Sequence, residues 1–250
     1  MNYTEMFWDA NIDELVDGYK AHENGYICLL CGKQTTNGVI YDMDGMLCDA
    51  HLYMKKHIMK DHKSPFEHLI TLDRKLTGLS ERHTQILSLM HKGYSDKDIQ
   101  QTLGINSLST VRNHRFAISE KRRQAKLTLA LTTMASKSDT KAPKLVEPPI
   151  TATFIDDRFN VTQVEYDKIV SRFMPKGLDN EIMGFPKKEK QKVILLHEMI
   201  KSFEKSKKYT EKEVNKILKI YWNDYVLIRR YLIEYGFMGR LRDCSEYWVK

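Results

Sequence analysis

Three runs of apolar residues at helical spacing lie between residues 76 and 130, and a serine that can cap a helix precedes each run. Gly104 ends the short second run. In order, Ser80 precedes Ile86, Leu87, Leu89 and Met90; Ser95 precedes Ile99 and Leu103; and Ser107 precedes Val111 and Ile118. Short helices joined by tight turns are typical of a helix-turn-helix, which we predict over residues 73–134.

The C-terminal part, residues 161–250, shows several helical patterns followed by strand-like alternation. Thr162 and Glu165 form a capping box for the first helix, and three amphipathic helices follow it. Apolar and polar residues then alternate around a turn at Asp243, which predicts a β-hairpin. The order of helices and hairpin predicts a winged-helix-like domain. Residues 135–160 are small, polar and proline-rich, so they predict a mobile linker.

The N-terminal part combines an acidic segment with a cysteine knuckle. Residues 1–24 predict an acidic helix, and residues 25–72 predict a zinc-finger-like module with a ββα plan. Cys28 and Cys31 form a C-x2-C knuckle in which two thiolates can bind one ion. A hairpin is expected over residues 39–47, followed by a helix that begins near Asp49.

Two pairs of residues can complete the metal site. His57 and His62 follow the common H-x3–5-H spacing on the predicted helix. Cys48 and His51 are three apart and offer a Cys3His or a different Cys2His2 set. We predict Cys28, Cys31, His57 and His62 as ligands of one structural Zn2+ ion. The chain has four cysteines, and their spacing fits a metal site in a reducing compartment better than a disulfide framework.

Basic residues are concentrated in particular stretches of the chain. The net charge is +7 with a pI near 9.0, which favours a polyanionic partner. Residues 112–126 hold six basic residues against one acidic residue, whereas residues 1–27 hold one against six. The chain has no apolar run long enough to span a bilayer and no signal-peptide pattern, so we expect a cytoplasmic protein.

The helix-turn-helix segment resembles LuxR/GerE-type DNA-binding domains. The resemblance is carried by Leu76-Thr77, Gly93 to Ile99, Leu103 to Ile105 and Thr110 to His114. It implies a third helix in the DNA major groove, with Ser107, Thr110, Arg112 and His114 meeting DNA or supporting that helix. The turn from Gly104 to Ser107 is one residue longer than the usual form. Bacterial regulators of this kind can carry the same finger, and His57 and His62 are then the matching ligands.

The third helix offers two groups of DNA-binding candidates. Arg112, Asn113 and Arg115 point away from the buried face of the helix, and the two arginines can read bases. Further along, Lys121, Arg122, Arg123 and Lys126 are expected to meet phosphates. An apolar stripe formed by Leu127, Leu129, Leu131 and Met134 predicts a homodimer, since such proteins commonly bind paired half-sites.

The C-terminal part resembles a bacterial domain of unknown function, DUF2087. Phe185 to Lys192, Arg229 to Gly236 and Tyr247 to Val249 carry the resemblance. The basic residues Arg229, Arg230, Arg240 and Arg242 predict a second DNA contact. The alternative is that the arginines pair with local acidic residues and that the domain contacts proteins.

Together these patterns predict a mainly α protein with three modules. The expected function is that of a sequence-specific transcriptional regulator that binds double-stranded DNA, without catalysis and without a membrane partner. Two alternatives stay open at this point. One is a metal-dependent DNA nuclease, and the other is a basic adaptor that binds acidic proteins.

Overall fold

The computed structural model describes residues 3–139, 141–150, 156–205 and 207–250. The chain forms two compact units. The first joins Met1–Leu76 to Lys144–Lys250, and the second is Thr77–Pro143. The described residues are mainly helical with small antiparallel sheets, as the sequence predicts.

The N-terminal part of the first unit begins with two short helices and a three-stranded sheet. The elements are α1 (Tyr3–Trp8), α2 (Ile12–Asp17), β1 (Tyr19–His22), β2 (Gly25–Cys28) and β3 (Gln34–Thr36), with β2 in the middle of the sheet. Asn11 and Glu14 form a capping box at α2. Gly18, with φ of 81°, ends α2 and turns the chain into β1. The segment predicted as one acidic helix over residues 1–24 therefore contains two helices and a strand, β1, that pairs with β2.

A hairpin and a longer helix complete this module. The elements are β4 (Tyr41–Met43), β5 (Met46–Cys48), α3 (Ala50–His62), α4 (Pro65–Leu69) and α5 (Arg74–Thr77). Asp49 caps α3 by accepting from the Leu52 amide, so the helix begins where the sequence predicts. A small core of Cys28, Leu30, Met54 and Ile58 joins β2 to α3.

The second unit consists of three helices around a small core. They are α6 (Glu81–His91), α7 (Asp96–Thr102) and α8 (Leu108–Ser138). Ser80, Ser95 and Ser107 cap them as the sequence predicts. Ile86, Ile99 and Val111 are fully buried between the helices. The last helix continues for 31 residues, because no proline or glycine interrupts residues 108–138.

The segment predicted as a mobile linker over residues 135–160 is partly ordered by packing. Its first residues belong to α8, and residues 151–155, with residue 140, lie outside the described residues. Ile150 packs with Phe7 and Leu29 in a core of the first unit. The indole of Trp8 donates to the Pro148 carbonyl at 3.0 Å. Side chains of the N-terminal part therefore hold this stretch in place. The composition of the stretch gave no sign of these contacts.

The C-terminal part of the first unit contains the largest core of the described residues. Its elements are α9 (Gln163–Phe173), α10 (Glu189–Met199), β6 (Lys208–Tyr209), α11 (Glu211–Leu218), α12 (Tyr225–Glu234), β7 (Met238–Arg240) and β8 (Tyr247–Val249). The sheet order is β6-β8-β7. The predicted helices and hairpin are confirmed, and β6 is a strand that the sequence pattern did not indicate. Gly239 faces Trp248 across the hairpin.

Candidate metal centre and candidate DNA-binding residues

Two cysteines and two histidines of the first unit form one cluster. Cys28 ends β2, Cys31 lies in the turn after it, and His57 and His62 lie in the second half of α3. One donor atom from each residue lies within 4.8 Å of the other three. The distance between Cys31 Sγ and His57 Nε2 is 3.2 Å. These are the four ligands that the sequence predicts, and they lie close enough to bind a metal ion.

The backbone closes the turn that carries the two cysteines. The Gly32 amide donates to the Cys28 carbonyl, and the Cys28 amide donates to the Lys33 carbonyl, both at 2.8 Å. Gly32 has φ of 80°, a conformation that glycine adopts without steric cost. Glycine directly after Cys31 therefore allows the chain to turn there and form both hydrogen bonds with Cys28.

The thiols of Cys28 and Cys31 interact, and their pKa values shift in opposite directions. The pKa of Cys31 is held well below its usual range by a hydrogen bond from the Cys28 thiol, with a further contribution from the His57 imidazole. The same bond and burial raise the pKa of Cys28. A bound cation favours two thiolates, so it would displace the remaining proton. Metal affinity at this site is therefore expected to rise with pH.

The two imidazoles have different partners outside the cluster. His57 Nδ1 lies 2.7 Å from Asp61 Oδ2, one helical turn away. A carboxylate in this position orients a ligating histidine and makes it more basic. Both His57 Nδ1 and His62 Nε2 are buried, and neither makes a hydrogen bond among the described residues. A buried nitrogen without a partner costs free energy because it has lost its hydrogen bonds to water. A metal ion bound to His62 Nε2 would remove that cost.

The alternative ligands Cys48 and His51 lie outside the cluster. Cys48 is buried, and its thiol points to the Met46 carbonyl at 3.6 Å. His51 Nε2 lies 2.7 Å from the Tyr19 hydroxyl, and its ring stacks on Tyr26. Both residues therefore pack within the module, where β1 supplies contacts that the sequence did not predict.

At the start of α8, two of the DNA-binding candidates form the cap of the helix. Ser107 Oγ accepts a hydrogen bond from the Thr110 amide at 3.2 Å and lies 2.9 Å from Thr110 Oγ1. His114 is partly buried, with its ring edge-on to His83 of α6 at 5.6 Å between centroids. Ser107 and Thr110 therefore stabilise the start of α8, and His114 packs α8 against α6.

The two arginines predicted to read bases have different exposures. Arg115 Nη1 donates to Asp96 Oδ1 of α7 at 2.9 Å, and its side chain is 38% exposed. Arg112 Nε lies 3.6 Å from the same carboxylate, and its side chain is 72% exposed. Asn113 is exposed on the side of the helix opposite the buried Val111. Arg112 and Asn113 therefore present their polar groups outward, and Arg115 turns towards α7.

The phosphate-binding candidates lie on an exposed part of α8. Lys121, Arg122, Arg123 and Lys126 are all exposed, and Arg123 pairs with Glu120 one turn earlier. Phe116, which the sequence pattern did not single out, is also exposed at 63%. Its position follows from the helix geometry, since it lies on the outward side with Asn113.

In the C-terminal part, Arg229 is committed to local contacts. Its guanidinium donates to Glu211 Oε1 at 2.6 Å, and its side chain is only 15% exposed. Arg230 and Arg240 are exposed, although Arg240 contacts the Cys244 thiol at 3.0 Å. This ion pair is consistent with the alternative that the arginines of this domain pair with acidic residues. The partner, Glu211 of α11, lies 18 positions before Arg229 in the sequence.

Residues 181–249 match the family DUF2087, described as an uncharacterized protein conserved in bacteria. The chain thus carries a DUF2087 domain, which contains α10–α12 and β6–β8, and α9 lies before the matched residues. No curated protein and no solved structure matches the chain. Within the described residues, no helix combines the length and apolar character needed to cross a membrane.

Proposed function

We propose that this protein is a sequence-specific DNA-binding transcriptional regulator. The observation that carries the proposal is the exposure of Arg112 and Asn113 on α8, about 100° and 200° around the helix axis from the buried Val111. Both side-chain types make bidentate contacts to base edges, arginine to guanine and asparagine to adenine. A short α7 followed by a turn and α8 supports a LuxR/GerE-like helix-turn-helix, with α8 as the helix that enters the major groove.

Charge further along α8 supports the same function. Lys121, Arg122 and Lys126 are exposed on the helix, where cations can bind the DNA backbone and release its counterions. These contacts add affinity without sequence preference. In this proposal the basic stretch supplies affinity for DNA, and Arg112 and Asn113 supply the sequence preference. A regulator of this kind acts on DNA in the cytoplasm.

The metal centre has a structural role in this proposal, with zinc as the ion. Two thiolates and two imidazoles form the donor set typical of structural Zn2+ sites. Four protein donors leave no coordination position for a substrate, which disfavours metal-dependent cleavage of DNA at this centre. The ion would hold the knuckle of Cys28 and Cys31 against α3, and so stabilise a module with a very small core.

The DUF2087 domain is proposed to be a winged helix. The element order α10, β6, α11, α12, β7, β8 and the sheet order β6-β8-β7 support this assignment. Arg230 on α12 and Arg240 on β7 are exposed, so they are the candidates for a second DNA contact. Because Arg229 is paired with Glu211, we assign it a structural role.

The proposal is tested by selecting bound sequences from a random duplex library with the zinc-loaded full-length chain. We expect one enriched motif, bound at least about 10³-fold more tightly than a scrambled duplex at physiological salt. Equal affinity for both duplexes would contradict the proposal and favour a basic adaptor. Incubation of the selected duplex with Mg2+ tests the other alternative, since cutting would indicate a nuclease.

A further inference from the structure

A cavity of about 490 Å³ lies in the first unit beside the metal centre. Cys31 and His62 form part of its wall, together with His68 of α4. Ile150 and residues of the C-terminal part, including Lys205 and Trp248, complete it. A volume of a few hundred Å³ is typical of sites that bind small molecules. The proposed DNA-binding function does not use this cavity.

The walls combine apolar and polar groups in the way that small-molecule sites do. Trp248 and Ile150 supply an aromatic and an aliphatic surface. The position of the indole depends on Gly239, because a Cβ at that residue would lie 2.5 Å from Trp248 Cε2. Glycine at this point in β7 therefore leaves room for the ring. His68 and Lys205 supply polar groups to the wall of the cavity, an imidazole and an ammonium.

Two lysines, Lys205 and Lys250, supply the positive charge of the cavity wall. Its negative groups are the Asp61 carboxylate and the Cys31 thiol, whose pKa is lowered. The Asp61 carboxylate lies 2.7 Å from His57 Nδ1, so its charge is directed to the metal centre. If an ion is held by these four side chains, no coordination position remains for another ligand, and an occupant of the cavity would meet the side chains instead of the ion.

We propose that this cavity binds a small organic carboxylate, with the carboxylate on the Lys205 ammonium and an apolar body against Trp248 and Ile150. A charge-assisted hydrogen bond fixes the anionic end. Burial of the apolar end against the indole supplies the rest of the affinity. Binding at this place joins α3 and α4 to the end of the DUF2087 domain through one ligand.

The test is calorimetric titration of the zinc-loaded full-length chain, without DNA, with benzoate, isovalerate and indole-3-acetate. Each acid is compared with its uncharged amide. We expect saturable binding of at least one acid at roughly millimolar affinity or better, and at least about tenfold weaker binding of the matched amide. Because DNA is absent, this result is independent of whether the protein binds DNA.

Lys205→Gln and Lys207→Gln separate the site from general charge. Lys207 makes an ion pair with Glu213 at 3.7 Å and does not line the cavity. We expect Lys205→Gln to weaken the acid at least about tenfold and Lys207→Gln to leave its affinity unchanged. The proposal is overturned if no acid binds saturably, if the amide binds as well as the acid, or if the two variants behave alike. The acid and amide comparison on the unaltered chain needs no variant to fold.

Discussion

Asp96 of α7 accepts a hydrogen bond from Arg115 of α8, with 2.9 Å between Oδ1 and Nη1. The same carboxylate lies 3.6 Å from Arg112 Nε. One acidic residue thus faces two arginines that the sequence predicts as base-reading residues. Since Arg115 is the closer and less exposed of the two, we infer that it positions α8 on α7 and that Arg112 is the better candidate for a base contact.

Asp96→Asn is expected to increase affinity for DNA of any sequence. Loss of the carboxylate removes a repulsive charge and releases two guanidiniums for phosphate contacts. The slope of log K against log salt should then become steeper by up to about two units, close to one for each guanidinium that contacts a phosphate. Fluorescence anisotropy with a random duplex at several salt concentrations measures this. Glu81→Gln makes the same change of charge on α6 and serves as the control. Equal effects of the two substitutions would show that Asp96 acts only through net charge.

Arg112→Ala is expected to weaken binding to the selected motif by about 1–3 kcal/mol and to relax preference at one base pair. Arg122→Ala, on the exposed basic part of α8, should weaken the motif and a scrambled duplex by the same factor. Competition binding with single-base variants of the motif measures both effects. A uniform loss for Arg112→Ala would indicate that the longer turn before Ser107 directs this residue to phosphate.

The metal centre predicts one zinc ion per chain and a stability that depends on it. Cys28→Ser or His57→Ala should abolish zinc binding. Each should also unfold the N-terminal module, because binding of the ion supplies folding free energy. Elemental analysis and circular dichroism before and after treatment with a chelator check this expectation. Protein purified without chelator and free of zinc would contradict it.

Asp61→Asn is expected to lower zinc affinity by about 10–100-fold without abolishing binding. The reason is that the Asp61 carboxylate lies 2.7 Å from Nδ1 of the predicted ligand His57, where a carboxylate can orient the ring. Asp44→Asn is the matched control, since Asp44 pairs with Lys60 on the exposed surface at 2.7 Å. Competition with a metal indicator gives the affinities. Equal affinities for the two variants would mean that the contact between Asp61 and His57 does not tune the site.

His197 predicts a pH dependence of stability in the C-terminal part. Burial, with a contribution from the Lys201 ammonium, lowers the pKa of His197 from 6.5 to about 4. Its Nδ1 lies 2.6 Å from the Tyr166 hydroxyl. Between these pH values the unfolded chain binds a proton that the folded chain does not bind. Stability is therefore fully present above pH 6.5 and falls towards pH 4 by up to about 1.4 kcal/mol per pH unit.

Denaturant unfolding of His197→Gln over this pH range tests the prediction. The difference in unfolding free energy between the unaltered chain and the variant should change with pH at up to the same rate, about 1.4 kcal/mol per unit. His22→Gln, at an exposed histidine of β1, should show no such difference. A pH-independent difference for His197→Gln would show that the residue titrates alike in both states.

The apolar stripe of α8 is narrower than its sequence spacing indicates. Leu127, Leu131 and Met134 are exposed at 66%, 63% and 58% and share one face of the helix, while Leu129 lies roughly 200° around the axis from Leu127. If the protein forms a homodimer through this face, Leu127→Lys with Leu131→Lys should yield monomers, and Leu129→Lys should not. Sedimentation of the unaltered chain, the double variant and Leu129→Lys measures the oligomeric state of each. A monomeric unaltered chain, free and on DNA, would rule the dimer out.

Local patterns in the sequence were sufficient to predict those features of the structure that depend on residues close together in the chain. Ser80, Ser95 and Ser107 identify the starts of three helices because a cap bonds to amides within three residues of it. The Cys and His residues that lie close enough to bind a metal ion could be predicted for a similar reason. Cys28 and Cys31 lie in one turn, and His57 and His62 lie on one helix, so each pair has a recognisable spacing.

The contacts that only the tertiary structure decided join residues far apart in sequence. Strand β1 pairs with β2, Ile150 packs with Phe7, and Asp96 binds Arg115 across 19 positions. Neither partner of such a pair carries a local signal for the other, because the contact depends on how separate elements pack. Capping, knuckle spacing and helical periodicity are thus properties of the sequence by itself, whereas the division into two units, the pairing of the arginines and the cavity beside the metal centre follow from packing.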